Sequence, residues 1–258
     1  MSCSIFRVVA AVAALSFTVA CGDDTDSVPN TGDTTTTGDE SPGGDGDTGD
    51  PGGDGDDAPP PNPNCPDPTA ALPTTYRPIN EVAATEITAL TEGTIEVDAT
   101  AGGFMEFADN PFIYISFADG TPTKVDITDT AAYASKDWDI ALKRTVIRAN
   151  GGDSGPGAVE VASVSAGDLG SATAPSDSSY ATDDFATEDC ELVAGQIGEP
   201  LTSFDGWYIY DSGTRTVTPA DLVWFVRTPE RHMKLRILDY YRGDVSATYE
   251  IEWAEVAE

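Results

Sequence analysis

The 258-residue chain holds a single histidine, His232, and only four cysteines, Cys3, Cys21, Cys65 and Cys190. One imidazole excludes a bis-histidine site within one chain, and cysteines this far apart exclude a closely spaced zinc quartet. Bases are also scarce: 13 Lys and Arg stand against 45 Asp and Glu, a formal net charge of −32. Such a surface repels nucleic acid and anionic headgroups, so no nucleic-acid partner is expected. Any anionic ligand must meet a local cluster of bases, and the dense ones are Lys143-Arg144 and residues 231–236. Phosphate-cradling glycine loops are absent. No apolar run reaches the ~20 residues of a membrane span.

An apolar run does open the chain. Residues 5–20 follow a weakly positive start at Arg7 and end in Thr18-Val19-Ala20 before Cys21. Length and flanks are those of a secretory signal, expected at 1–20. The cysteine directly after it resembles a bacterial lipobox, with Thr18 where leucine is usual, so Cys21 is the expected lipidation site. The alternative is an ordinary signal peptide cut near Ala20. Residues 21–64 then read as a tether: twelve acids, no base and almost no apolar side chains. Such a composition cannot offset chain entropy and predicts disorder. Gly-Gly-Asp-Gly-Asp occurs twice, at 43–47 and 52–56. Two copies without a following apolar residue cannot stack into a calcium-binding roll, so they read as solvated spacer.

Residues 65–258 are long enough for one domain with its own core. Cys3 leaves with the signal and Cys21 takes the lipid, which leaves Cys65 and Cys190 as a candidate disulfide in an oxidising compartment. The domain reads as mainly β. Period-two alternation runs through residues 94–99, 233–241 and 245–253, the last with Val245, Ala247, Tyr249, Ile251 and Trp253 on one face. Residues 112–117 are apolar on both faces and predict a central strand covered twice. Further strands are expected at 104–107, 123–127, 138–149, 158–164, 207–210, 215–218 and 222–227. Helix is expected only near 79–90 and around 129–134. Strands of this number and spacing predict an antiparallel β-sandwich or curled sheet.

Gly152-Asp153-Ser154-Gly155-Pro156 is similar to the serine signature of chymotrypsin-like proteases. Those enzymes place the histidine before the serine, and none precedes Ser154 here. The segment reads as a loop, and the chain is not read as an enzyme. The acid pairs Asp183-Asp184 and Glu188-Asp189 likewise read as solvated surface rather than a glycosidase dyad.

Two segments carry more. One is Asp137-Trp138-Asp139-Ile140-Ala141-Leu142-Lys143-Arg144, continued by Val146-Ile147-Arg148-Ala149-Asn150-Gly151-Gly152. The other is Leu222-Val223-Trp224-Phe225-Val226-Arg227-Thr228, followed by Lys234-Leu235-Arg236-Ile237-Leu238-Asp239-Tyr240-Tyr241. Together they resemble the HmuY family of haem-binding bacterial lipoproteins, over residues 112–253. The resemblance implies an all-β fold, an outer-membrane lipoprotein facing the cell surface or the periplasm, and haem capture for an outer-membrane receptor. It also implies axial ligands, commonly two histidines, one of which can follow Trp-Asp-Ile-Ala-x. Lys143 stands at that position here.

With one histidine, a methionine can serve as a ligand instead, and Met105 and Met233 are the mature methionines. Met105, Met233 and His232 are therefore the haem-ligand candidates, each with a bland counterpart in core packing or exposed surface. By strand parity His232 faces with Lys234 and Arg236, away from Met233. Trp138, Trp207, Trp224 and Trp253 either line an apolar ligand cavity or pack a core. The reading is a tethered, exported lipoprotein whose β domain binds haem or a related small hydrophobic ligand without turnover. The alternative is a surface interaction module that has lost haem ligation.

Overall fold

The structure is a computed structural model, and it describes residues 65–256. All of them belong to the compact unit Asp54–Glu258. The signal, Cys21, the tether and the unit Met1–Gly53 lie outside the described residues.

In chain order the strands are β1 (Ile87–Thr91), β2 (Thr94–Asp98), β3 (Ile113–Ser116) and β4 (Thr123–Val125). A one-turn α-helix, α1 (Asp129–Ala132), precedes β5 (Ile140–Lys143), β6 (Val146–Ala149) and β7 (Glu160–Ser165). Then come β8 (Tyr208–Asp211), β9 (Thr216–Pro219), β10 (Leu222–Arg227), β11 (His232–Arg242) and β12 (Val245–Glu255). They form a six-stranded sheet ordered β1-β2-β12-β11-β10-β7, a four-stranded sheet β4-β3-β5-β6, and the ribbon β8-β9. Every pairing within the three sheets is antiparallel. The mainly β, antiparallel fold expected from the alternation is the one observed.

The core lies between the two larger sheets. Ile95, Val97, Met233, Leu235, Ile237, Tyr249 and Ile251 come from one, and Ile113, Ile115, Ile140, Leu142 and Ile147 from the other. Period two explains this: successive side chains of a strand alternate faces, so every second apolar residue meets the same layer. β3 is covered twice, as its uninterrupted apolar run predicts. On its other face Tyr114, with Phe112 just before the strand, packs against Tyr76, Trp138, Ala141 and Val146 in a second cluster.

Residues 65–80 form a strap built on two 3₁₀ turns, Pro68–Ala71 and Thr74–Tyr76. Cys65 is disulfide-bonded to Cys190, and the Ile79 amide donates to Asp129 at 3.2 Å. Tyr76 reaches from the strap to the second cluster, its ring 5.8 Å from Phe107 and 6.4 Å from Phe112.

Two local expectations are corrected. The stretch 79–90 has no helix; it runs extended into β1, where Thr88 to Thr91 are exposed. Residues 104–107 form a turn and the start of a 3₁₀ helix instead of a strand, because Ala101, Gly102 and Gly103 all take positive φ and reverse the chain.

Candidate functional site: an acid-lined cleft and a buried polar network

The residues around Trp138 build architecture first. Asn150 donates to Trp138 O at 2.7 Å and Ser135 O at 3.0 Å, and accepts from Gly157 N at 3.0 Å. The glycines after it admit no side chain. A Cβ on Gly151 would lie 2.3 Å from Val159 O, and one on Gly152, at φ +60°, would lie 2.1 Å from Asp183 O. The Asn-Gly-Gly turn therefore locks β6 to the loop that precedes β7.

Behind that turn lies a buried polar chain. Arg148 donates through Nε to Ser154 Oγ at 3.0 Å, and through Nη2 to Tyr133 Oη. Ser154 Oγ donates to Asp183 Oδ2 at 2.5 Å. Asp183 also accepts from Ala149 N, Ser203 N and Ser203 Oγ. Burial pushes its carboxyl above the ordinary Asp range, opposed by those donors. The expectation of a solvated acid pair is thus corrected at Asp183, which is buried, while Asp184 is exposed. Ser154 is buried too and spends its hydroxyl on Asp183, so the protease-like signature is a structural knot.

Lys143 ends β5 and is fully buried. Its Nζ lies 5.5 Å from the Phe112 ring centroid and 5.9 Å from that of Tyr76. Among the described residues it has no hydrogen-bond partner. Burial pulls its ammonium down to about 8.

At one end of the sandwich a cleft of about 680 Å³ opens between the residues after β3, those before β5 and β7, and the β10–β11 turn. That volume is in the range of small-ligand sites. Asp137, Asp139, Glu160 and Glu230 line it, against Lys136 and Arg227. Asp139 accepts from Phe117 N at 2.5 Å, and its burial pushes the carboxyl up. Arg227 is ion-paired to Glu160 at 2.6 Å and Asp177 at 2.8 Å, and lies 4.1 Å over the Tyr180 ring.

The residues singled out from sequence do not converge. Met105 is 86% exposed at a loop tip beside Phe104, which is 76% exposed. Met233 is 0% exposed, inside the core. His232 is half-buried, stacked on Tyr180 with centroids 6.0 Å apart. None of the three lines the cleft, and neither does any of the four tryptophans. Trp138 and Trp207 instead donate to Ala132 O and Thr145 O, at 2.9 and 2.8 Å. The basic clusters are also engaged. Arg144 donates to Ser246, Arg231 to Glu255 and Ala118 O, Lys234 to Leu169 O, and Arg236 to Asp221. Sequence reasoning missed the cleft because four separate loops supply its walls; the acids flanking Trp138 were the only local sign.

The HmuY protein family matches residues 108–253, more than half of the chain, and the chain belongs to that family. No curated protein matches it. Three solved structures are similar. A candidate lipoprotein of Bacteroides fragilis is 15% identical, covering 69% of this chain and 96% of its own, with a TM-score of 0.45. A candidate HmuY-like haem-binding protein of Bacteroides vulgatus is 20% identical over 66% of this chain and 96% of its own, with a TM-score of 0.42. The apo HmuY analog of Tannerella forsythia is 13% identical over 69% of this chain and 99% of its own, with a TM-score of 0.39. Membership rests on the family match.

Proposed function

We propose that this HmuY-family chain is a non-catalytic binding lipoprotein of the cell envelope, acylated at Cys21 and displayed on the tether 21–64. Its β domain meets a ligand or partner at the acid-lined cleft, without gripping an iron. An outer-membrane protein is the partner class the resemblance implies.

The observation that carries this reading is Lys143. Haem needs a donor atom free to reach iron. At the position where the family's pattern can place histidine, this chain has a lysine sealed between Phe112 and Tyr76. Haem does not fit there: the Lys143 side chain is sealed under two rings and has no exposed surface from which to reach an iron. The cleft does not fit it either, because its lining has no His, Met, Cys or Tyr. Its carboxylates would also repel propionates. The absence of turnover is supported by Ser154, whose hydroxyl is buried and committed to Asp183.

One observation favours haem as a second reading. Met105 projects its thioether into solvent next to the exposed Phe104 ring, an arrangement able to approach a porphyrin from outside. Titrating haemin into the mature chain separates the two. A featureless titration leaves the iron-free reading standing. A stoichiometric Soret shift that Met105→Ala abolishes supports haem capture, as would one abolished by His232→Ala.

A further inference from the structure

We infer that Lys143 is a pH-sensitive latch beneath the strap of residues 65–80: the uncharged amine lets Tyr76 seat on Phe112, and the ammonium form releases it. The inference stands whichever ligand reading survives.

The geometry is that of a cation with nowhere to put its charge. Lys143 Nζ is sealed by the ring of Phe112, the residue before β3, and by one from the strap, Tyr76. Three other charged groups act on it: Asp109 from the turn before β3, Asp129 from α1 and Arg148 from β6. None of them pairs with it among the described residues. The Asp129 carboxylate is already shared by Phe112 N at 3.0 Å, Tyr114 Oη at 2.9 Å and Ile79 N at 3.2 Å. Arg148 is a competitor, since its guanidinium carbon lies 5.1 Å from the same Phe112 ring. Two ring faces recover only part of what an ammonium loses on leaving water.

The strap is the part able to yield. It is fixed by Cys65–Cys190, by Leu72 buried beside Phe185, and by the Ile79 bond to Asp129. Between Leu72 and Ile79, Tyr76 covers the amine. Lifting that stretch rehydrates Lys143 while the strand ladders stay intact, so it is the least costly way to solvate the charge.

In the lifted state the amine titrates near its ordinary value, about 10.4. In the closed state burial holds it lower. The closed state therefore weakens as pH falls through the interval between the two, and the penalty is constant below the closed-state value. Lifting should rise on the order of 100-fold between pH 10 and pH 7.

Amide hydrogen exchange of the full chain tests this, with protection factors corrected for the intrinsic pH dependence of exchange. The expected result is protection over residues 66–80 that climbs at least tenfold from pH 7 to pH 9.5, while β5 and β11 stay level. Lys143→Met should protect the strap at both pH values, and Lys143→Arg should leave it open at both. A flat wild-type profile, or a climb that persists in Lys143→Met, overturns the latch. If Lys143→Met does not fold, the Lys143 side-chain NMR titration decides. A strap transition away from the amine's own midpoint overturns the proposal, and coincident midpoints uphold it.

Discussion

Ser154 Oγ sits 2.5 Å from Asp183 Oδ2, and the pair joins the loop after β6 to a segment 29 residues further along the chain. Both are buried, so neither can trade its bond for one to water. Ser154→Ala should cost about 1–3 kcal/mol of unfolding free energy, because it strands an acceptor on Asp183 and a donor on Arg148. A urea titration followed by tryptophan fluorescence measures it. A neutral result would mean that water enters the loop.

Asp129, Asp139 and Asp183 all have carboxyls raised by burial. A group with a raised folded value binds its proton more tightly when folded. Its contribution to stability is greatest at low pH and is lost as pH rises through the folded value. These three should make the domain gain stability as pH falls from 7 toward 5, with Asp183→Asn flattening part of that slope. Urea midpoints across the range give the test, and a midpoint that drops steadily with acid would refute it.

Gly152→Ala should be among the most damaging single substitutions. It puts a Cβ on a φ of +60° and 2.1 Å from Asp183 O. The expected cost is about 2 kcal/mol or more. Gly103, where an added Cβ would meet no atom within 4 Å, isolates the backbone contribution from the clash. Gly103→Ala should cost about 1 kcal/mol, and equal losses at both glycines would remove the clash argument.

Met105 and Met233 should separate cleanly. Met233→Ala empties a core position and should destabilise by about 2–5 kcal/mol. Met105→Ala, on an exposed tip, should stay within about 0.5 kcal/mol. Thermal melts of both variants check this, and a Met105 loss as large as that of Met233 would show the tip to be packed.

Opening the Cys65–Cys190 bridge releases a loop spanning a sequence separation of 125. Reduction should lower stability by about 2–4 kcal/mol. Denaturation with and without a thiol reductant gives the value, and coincident curves would contradict it.

The sheets were legible because alternation is a local signal. Met233, Leu235 and Ile237 announce their inward face by spacing alone, and all three lie in the core. The double cover of β3 showed in the same way, as an apolar run with no polar beat. The cleft was not legible, since Asp139, Glu160 and Glu230 come together only after three loops have folded. Asp183 misled for a related reason: an acid in a Ser-rich stretch looks solvated until Ser154 and Ser203 arrive from elsewhere to bond it. The exposed Phe104 and Met105 read as strand because glycine-driven reversals just upstream leave no trace in hydropathy.

The Cys65–Cys190 bridge has a mechanical consequence. Tension drawn along the chain from before Cys65 passes through sulfur into the segment around residue 190, and residues 66–80 are bypassed. The span that carries Tyr76 lies outside that load path, so a pull on the residues before Cys65 would neither pry it open nor hold it shut.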